Sequence, residues 1–219
     1  HAYLHSFFTY RALASTILAV LTAMLLNLYP GQKRGERPVE LTILMPCLNE
    51  AASVTFCILE ARAYLESRGI AGEILIADNG SSDRSRELAA AAGARVITVP
   101  EKGYGSALRG GIAAAKGQYI IIGDCDGSYG FSDLDPIVEK LRDGWQLVVG
   151  DRFSGGIAPG AMPFSHRYLG VPLLSWLGRK RYRVELSDFH CGLRGISKEA
   201  TLTVEFQTTG MEFATEMIG

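Results

Sequence analysis

Two kinds of apolar spacing alternate along this chain. Short aliphatic runs, Leu41–Met45, Glu73–Ala77, Arg95–Val99, Tyr119–Ile122 and Gln146–Gly150, have the length and residue types of strands. Tyr119–Ile122 is apolar without alternation, as in a strand covered on both faces. Between the runs the spacing becomes helical: Val54, Ile58, Ala61 and Leu65 recur along one face until Gly69, with Asn49 or Ser53 available as the cap. Further helices are expected from a Ser82/Asp83 cap through Ala91, from about Ala107 to Ala115, and from Asp133 to Leu141. Pro46 is expected to stop the first strand at Met45. Strand and helix in alternation predict an α/β fold with an open, mostly parallel sheet flanked by helices and joined by right-handed crossovers.

Two stretches stand outside this alternation. No charged residue occurs from Ala12 to Gln32, and Leu13–Tyr29 is mostly apolar until Pro30-Gly31 breaks it. A membrane span needs roughly 20 apolar residues, so this run is barely long enough, and Ser15, Thr16, Thr22 and Asn27 weaken it. A span, a buried or interfacial helix and a signal-like segment all stay open as readings. If it spans, Lys33, Arg34 and Arg37 put the downstream chain on the cytoplasmic face of the membrane. Residues 1–38 are accordingly set apart as an apolar helix and linker, and residues 39–219 as the globular domain. The second stretch is the Gly- and Pro-rich Ser154–Pro163, long enough for a binding loop or lid, ahead of a helix carrying Arg167 and Trp176.

Composition narrows the picture. With 47% hydrophobic residues among 219 there is material for a sizeable core, and a net charge of −1 gives no reason to expect nucleic acid. Cys47, Cys57, Cys125 and Cys191 form no C-x-x-C pair, so they are expected as reduced thiols and zinc is not expected. The chain opens on His1 and closes on Gly219 after an unfinished helical pattern, as a piece of a longer protein would.

Ligands of open α/β sheets bind at the carboxyl ends of the strands. Here those ends carry Asn49 and Glu50, Asp78 and Asn79, Asp124 and Asp126, and Arg152. Asp124 and Asp126 are hard oxygen ligands one residue apart, suited to Mg²⁺ or Mn²⁺ bound together with a diphosphate, although for an isolated pair an Asp-Gly turn between strand and helix is the favoured reading. Asp78 offers acceptors for ribose or a base edge, and Lys102 or Arg152 would offset phosphate charge. Gly103 and Gly105 do not make a dinucleotide fingerprint, since the third glycine position falls on Leu108, and no G-x-x-x-x-G-K-[ST] loop exists.

Five segments in this order, Met45–Glu50, Ala77–Asp83, Lys102–Ala107, Gly123–Ser128 and Gly150–Phe153, resemble family 2 glycosyltransferases of the GT-A fold. Pro159–Phe164 and Ser187–Gly195 narrow the resemblance to the branch with dolichyl-phosphate mannosyltransferases and bacterial polyprenyl-phosphate glycosyltransferases. The resemblance covers about Val39 to Gly219. It implies sugar transfer from a UDP- or GDP-sugar, usually with inversion, to a polyprenyl phosphate. Pro46, Asn49, Glu50 and Asp78 match nucleotide-holding positions, with Asn79 beside them, and Asp124 and Asp126 match the pair that binds the metal with the diphosphate.

A lipid phosphate is largely ionised at neutral pH, its second pKa being about 6, and such a nucleophile barely needs a base. Asp188 is then expected to orient donor or acceptor; for a hydroxyl acceptor it is the candidate general base. Arg152, Arg167 and Arg194 are candidates for the acceptor phosphate because a guanidinium fork matches its oxygens, with a surface turn at Gly192–Gly195 as the plain alternative for Arg194. The basic cluster Arg179–Arg183 and the apolar Leu173, Leu174 and Trp176 are candidate contacts with a membrane surface, against solvated helix end and core. His190 is expected to be packed. A glycan or glycolipid acceptor, and a nucleotide-sugar-binding module without turnover, are the competing readings.

Overall fold

The computed structural model describes residues 38–151, 180, 188 and 191–218, which fall within one compact unit, Pro38–Gly219. The apolar run before Pro38, Ser154–Pro163, Arg152, Arg167, Trp176 and His190 lie outside the described residues. Among the described residues no helix is long and apolar enough to cross a membrane.

In chain order the elements are β1 Leu41–Cys47, α1 Val54–Arg68, β2 Gly72–Asp78, α2 Ser85–Ala91, β3 Arg95–Thr98, α3 Tyr104–Ala114, β4 Tyr119–Ile122, α4 Asp135–Arg142, β5 Leu147–Val149, β6 Arg194–Ser197, and the short helices α5 Lys198–Thr201 and α6 Phe213–Glu216. The strands form one six-stranded sheet in the order β3-β2-β1-β4-β6-β5. β1 runs parallel to β2 and β4, and β3 parallel to β2; β6 is antiparallel to both β4 and β5. The expected open, mostly parallel sheet is therefore present, with a reversed strand inserted near one edge.

Alternation along β1 divides the core. Ile43 and Met45 pack on one face with Val54, Ile58 and Ala61 of α1 and Leu141 of α4, while Leu44 packs on the other with Leu108 and Ile112 of α3. All three β1 residues are fully buried, and so is Thr42 between them and Leu41, as in a strand covered on both faces. α1 ends as its glycine predicts: Gly69 is left-handed at φ 61, its N–H reaching Glu66 O, and Ile70 N–H reaches Leu65 O.

Two boundaries and one assignment differ from expectation for identifiable physical reasons. β1 runs through Pro46 to Cys47. The ladder to β4 ends at the Leu44–Ile122 pair, and the Pro46 carbonyl accepts the Cys125 thiol at 3.2 Å on that side, so the missing N–H costs no ladder bond. α3 starts at Tyr104 rather than near Ala107, because Gly103, at φ 127, lets the chain turn directly into the helix. Arg194 lies in a strand, not a surface turn: Gly195 fits because a methyl group there would meet Leu141 of α4 at 2.9 Å.

Leu44 sits against the Cβ-less face of α3 at Gly111. Leu44→Ala is expected to lower unfolding free energy by about 2–5 kcal/mol, the range for a buried leucine, measured by urea titration; a much smaller loss would mean that the sheet collapses onto α3.

Candidate active site

The strand order reverses at β1: β2 and then β3 lie to one side of it, and β4 lies on the other. A crevice at the carboxyl ends of parallel strands is expected at such a switch point, and a cavity of about 410 Å³ lies there. It is lined by six of the residues singled out in the sequence: Pro46, Glu50, Asn79, Lys102, Asp124 and Asp126. Cys47 and Cys125 also line it, both as thiols.

The loops bearing these residues are held by one another. Asn49 is the only non-glycine at positive φ among the described residues, at 61°. That conformation turns its Oδ1 to accept from the N–H groups of Ser82 (2.8 Å) and Asp83 (3.3 Å). In return the Ser81 hydroxyl accepts the Asn49 N–H, Ser85 Oγ accepts that of Glu50, and Asp83 Oδ2 accepts that of Ala51. Asn49 thus ties the β1 loop to the β2 loop and does not cap α1. Asp78 is fully buried; its carboxylate accepts from Gly80 N–H at 3.1 Å and Ser81 N–H at 3.2 Å. It shapes the turn beneath the cavity and is not among the lining residues.

Asn79 reaches the third loop. Its amide donates to Val99 O (3.1 Å) and Glu101 O (2.7 Å), and its Oδ1 accepts from Gly103 N–H (2.8 Å). Lys102 Nζ donates to the Asn79 carbonyl at 2.7 Å, which keeps its cation beside the cavity.

Asp124 lies beyond the last residue of β4, half-buried, and Asp126 is exposed with its Oδ1 accepting from Ser128 N–H at 2.8 Å. Burial, then the negative charges of Asp126 and Glu50, push the Asp124 carboxyl above its ordinary value, against a lowering bond from Tyr104. The Tyr104 hydroxyl donates to Asp124 Oδ1 at 3.0 Å, and burial together with the Asp124 charge drives its own pKa far up. Excess negative charge on hard oxygens is what a small divalent cation relieves. Among the described residues no three His, Cys, Asp or Glu groups gather closely enough to hold a metal unaided. The donor set therefore fits Mg²⁺ or Mn²⁺ bound through one or two carboxylates plus a ligand's phosphates, the usual mode for these ions in phosphate sites.

Asp188 and Arg194 are both buried. Arg194 Nε donates to Cys191 O at 2.8 Å and its Nη1 to Ala214 O, so this much of the fork expected on an acceptor phosphate is engaged inside the protein. Two site residues carried no individual sequence signal. Tyr104 sat within the Lys102–Ala107 segment as an aromatic between two glycines, and Gly192 packs so that a methyl group would lie 2.7 Å from Asp124 Oδ2.

Residues 42–203 match the family described as Glycosyl transferase family 2. The low-salt glycan biosynthesis hexosyltransferase Agl6 of Haloferax volcanii is 41% identical over 179 residues, covering 81% of this chain and 43% of that protein. This chain thus spans less than half of that relative's length. The dolichyl-phosphate hexose transferase of the same organism is 27% identical, covering 78% of this chain and 73% of its own. The structure of glucosyl-3-phosphoglycerate synthase from Mycobacterium tuberculosis, in complex with Mn²⁺, UDP and glucosyl-3-phosphoglycerate, shares the fold. Its TM-score is 0.63 at 22% identity, over 80% of this chain and 62% of that one. The expected GT-A fold is thereby shown. The family match runs from within β1 to beyond β6, through every strand of the sheet, and on that extent the chain belongs to glycosyl transferase family 2.

Proposed function

We propose that this chain transfers a sugar from a nucleoside diphosphate to the phosphate of a polyprenyl lipid at the cytoplasmic face of a membrane, with Mg²⁺ or Mn²⁺ bound between protein and diphosphate. The observation that carries the donor half is the cavity into which Asp124, Asp126, Glu50, Asn79 and Lys102 are gathered. When bound, the cation supplies Lewis-acid stabilisation of the departing diphosphate. Asp124 and Asp126 would hold it, and Lys102, fixed through the Asn79 carbonyl, sets a positive charge in the same cavity. Asn49 and Asp78 hold the loops that bound the nucleotide end, by the bonds they make to Ser81, Ser82 and Asp83.

The acceptor half rests on kinship. One relative is named a dolichyl-phosphate hexose transferase and another a glycan biosynthesis hexosyltransferase. A phosphate monoester with a second pKa of about 6 is largely dianionic at neutrality, so attack on the anomeric carbon needs no proton acceptor and Asp188 serves to orient. With Arg194 bonded to backbone carbonyls, Arg152 and Arg167 are the guanidinium groups assigned to the acceptor phosphate.

Asp126→Asn preserves the acceptor for Ser128 N–H while removing the charge. It is expected to lower kcat/KM by about 100-fold or more, roughly 2.7 kcal/mol, with an unchanged thermal midpoint; wild-type turnover would remove Asp126 from the cation's ligands. Membranes incubated with labelled nucleotide sugar and then extracted with organic solvent are expected to yield label in an acid-labile, negatively charged lipid. Label in a neutral glycolipid or a water-soluble glycan would instead establish a hydroxyl acceptor.

A further inference from the structure

Asp124 stands where the sheet no longer controls direction. β4 ends at Ile122, and residues 123–134 contain no helix or strand, so no ladder bond fixes the Asp124 side chain. Two contacts from distant parts of the chain flank its carboxylate. On one oxygen, Oδ1, the Tyr104 hydroxyl donates at 3.0 Å. Beside the other, Oδ2, lies Gly192, where a methyl group would intrude to 2.7 Å. Gly192 is itself held, its N–H donating to the Tyr129 hydroxyl at 2.7 Å.

Tyr104 is well placed to impose direction. It is the first residue of α3, and the residue before it is anchored by the Asn79 side chain at 2.8 Å. α3 in turn packs through Leu108 and Ile112 onto Leu44 and Ile122 of the sheet. The phenol therefore projects from a fixed helix start to a carboxylate on a turn, and a neutral donor orients that carboxylate without cancelling its charge. Gly192 lies against the other oxygen, Oδ2, where no side chain would fit without displacing it.

We propose that Tyr104 is a positioning residue of the donor site: its hydroxyl fixes the rotation of the Asp124 carboxylate, and with it the geometry in which this side chain meets a divalent cation and the nucleotide's diphosphate. The inference rests on the donor site proposed above.

The test titrates Mn²⁺ calorimetrically into the purified chain at a fixed UDP concentration, comparing wild type with Tyr104→Phe and Gly192→Ala. Tyr104→Phe keeps the ring and deletes only the hydroxyl. It is expected to weaken Mn²⁺ binding about tenfold, the low end for loss of a bond to a metal-binding side chain, with the thermal midpoint and metal-free UDP affinity unchanged. Gly192→Ala, which crowds Oδ2 from the other side, is expected to weaken Mn²⁺ binding in the same direction. With donor substrate, the Mn²⁺ concentration for half-maximal rate should rise with little change in KM for the nucleotide sugar at saturating Mn²⁺. Tyr104→Phe binding Mn²⁺ as wild type does would overturn the inference while leaving the donor site standing. A Tyr104→Phe variant that loses Mn²⁺, UDP and thermal stability together would also overturn it, showing a structural role. Absence of any UDP-dependent Mn²⁺ binding in wild type would sink the donor-site reading, and this inference with it.

Discussion

Beyond Val99, whose N–H reaches Asp78 O, the chain after β3 leaves the sheet, and the described contacts that bring it back run largely through one buried amide. Asn79 uses both hydrogens and its oxygen on that loop, holding Val99, Glu101 and Gly103, and its own carbonyl receives Lys102. A buried amide left unpaired costs about 1–3 kcal/mol, so the arrangement is either made as a whole or strongly penalised. What it fixes extends further than the loop. Gly103 precedes α3, Tyr104 opens it, and the Tyr104 hydroxyl reaches Asp124. A continuous path of bonds thus leads from the tip of β2 to the turn after β4, over the end of β1 that lies between them.

Burying a carboxylate beside other acidic groups is costly, and the raised pKa of Asp124 registers that cost, through burial first and then the charges of Asp126 and Glu50. The described bonds that hold the carboxylates in place come from neutral donors: the Tyr104 hydroxyl for Asp124, the Ser128 N–H for Asp126, the Ser53 hydroxyl for Glu50. A lysine or arginine in those places would orient the carboxylates equally well but would satisfy their charge, leaving less for an incoming cation. Lys102 lines the same cavity, yet its described bond is to a carbonyl. Arg194 donates to the carbonyls of Cys191 and Ala214, and its charge, acting without a described bond to the carboxylates, partly offsets the rise at Asp124.

Much of the architecture was legible because strand, helix and turn signals are local. The aliphatic runs, the helical spacing before Gly69 and the acidic residues at strand ends were all visible within windows of a dozen residues. Errors arose where a distant partner decides the outcome. Pro46 stays in a strand because the β4 ladder has already ended, a fact about register, and Arg194-Gly-Ile-Ser197 becomes a strand because β4 and β5 stand on either side of it. Asp78 and Asn49 lie at strand ends, but the described bonds of Asp78 run to its own turn and those of Asn49 to the β2 loop, and no spacing rule distinguishes a carboxylate that faces a ligand from one that faces a turn. Tyr104 escaped notice for the same reason, since its partner lies twenty positions away.

The reversed strand explains why the site is not complete within the first four strands. Were β4 an edge, the turn carrying Asp124 would have open solvent on its outer side. β6 pairs with β4 in antiparallel register, Ile122 opposite Arg194, and this direction delivers the preceding residues, Cys191 and Gly192, to the carboxyl end of β4. A parallel strand in that position would have brought its later residues instead. The same C-terminal segment then covers the start of α3: Thr209 O accepts the Ser106 N–H, and methyl groups at Gly105 would meet Thr208 O at 2.7 Å and Gly210 O at 2.9 Å. The glycines around Tyr104 are therefore required by backbone laid over them from the far end of the chain. That segment covers the glycines on either side of Tyr104, and Gly192 flanks Asp124 Oδ2, so the chain entering and leaving the reversed strand closes on both halves of the pair.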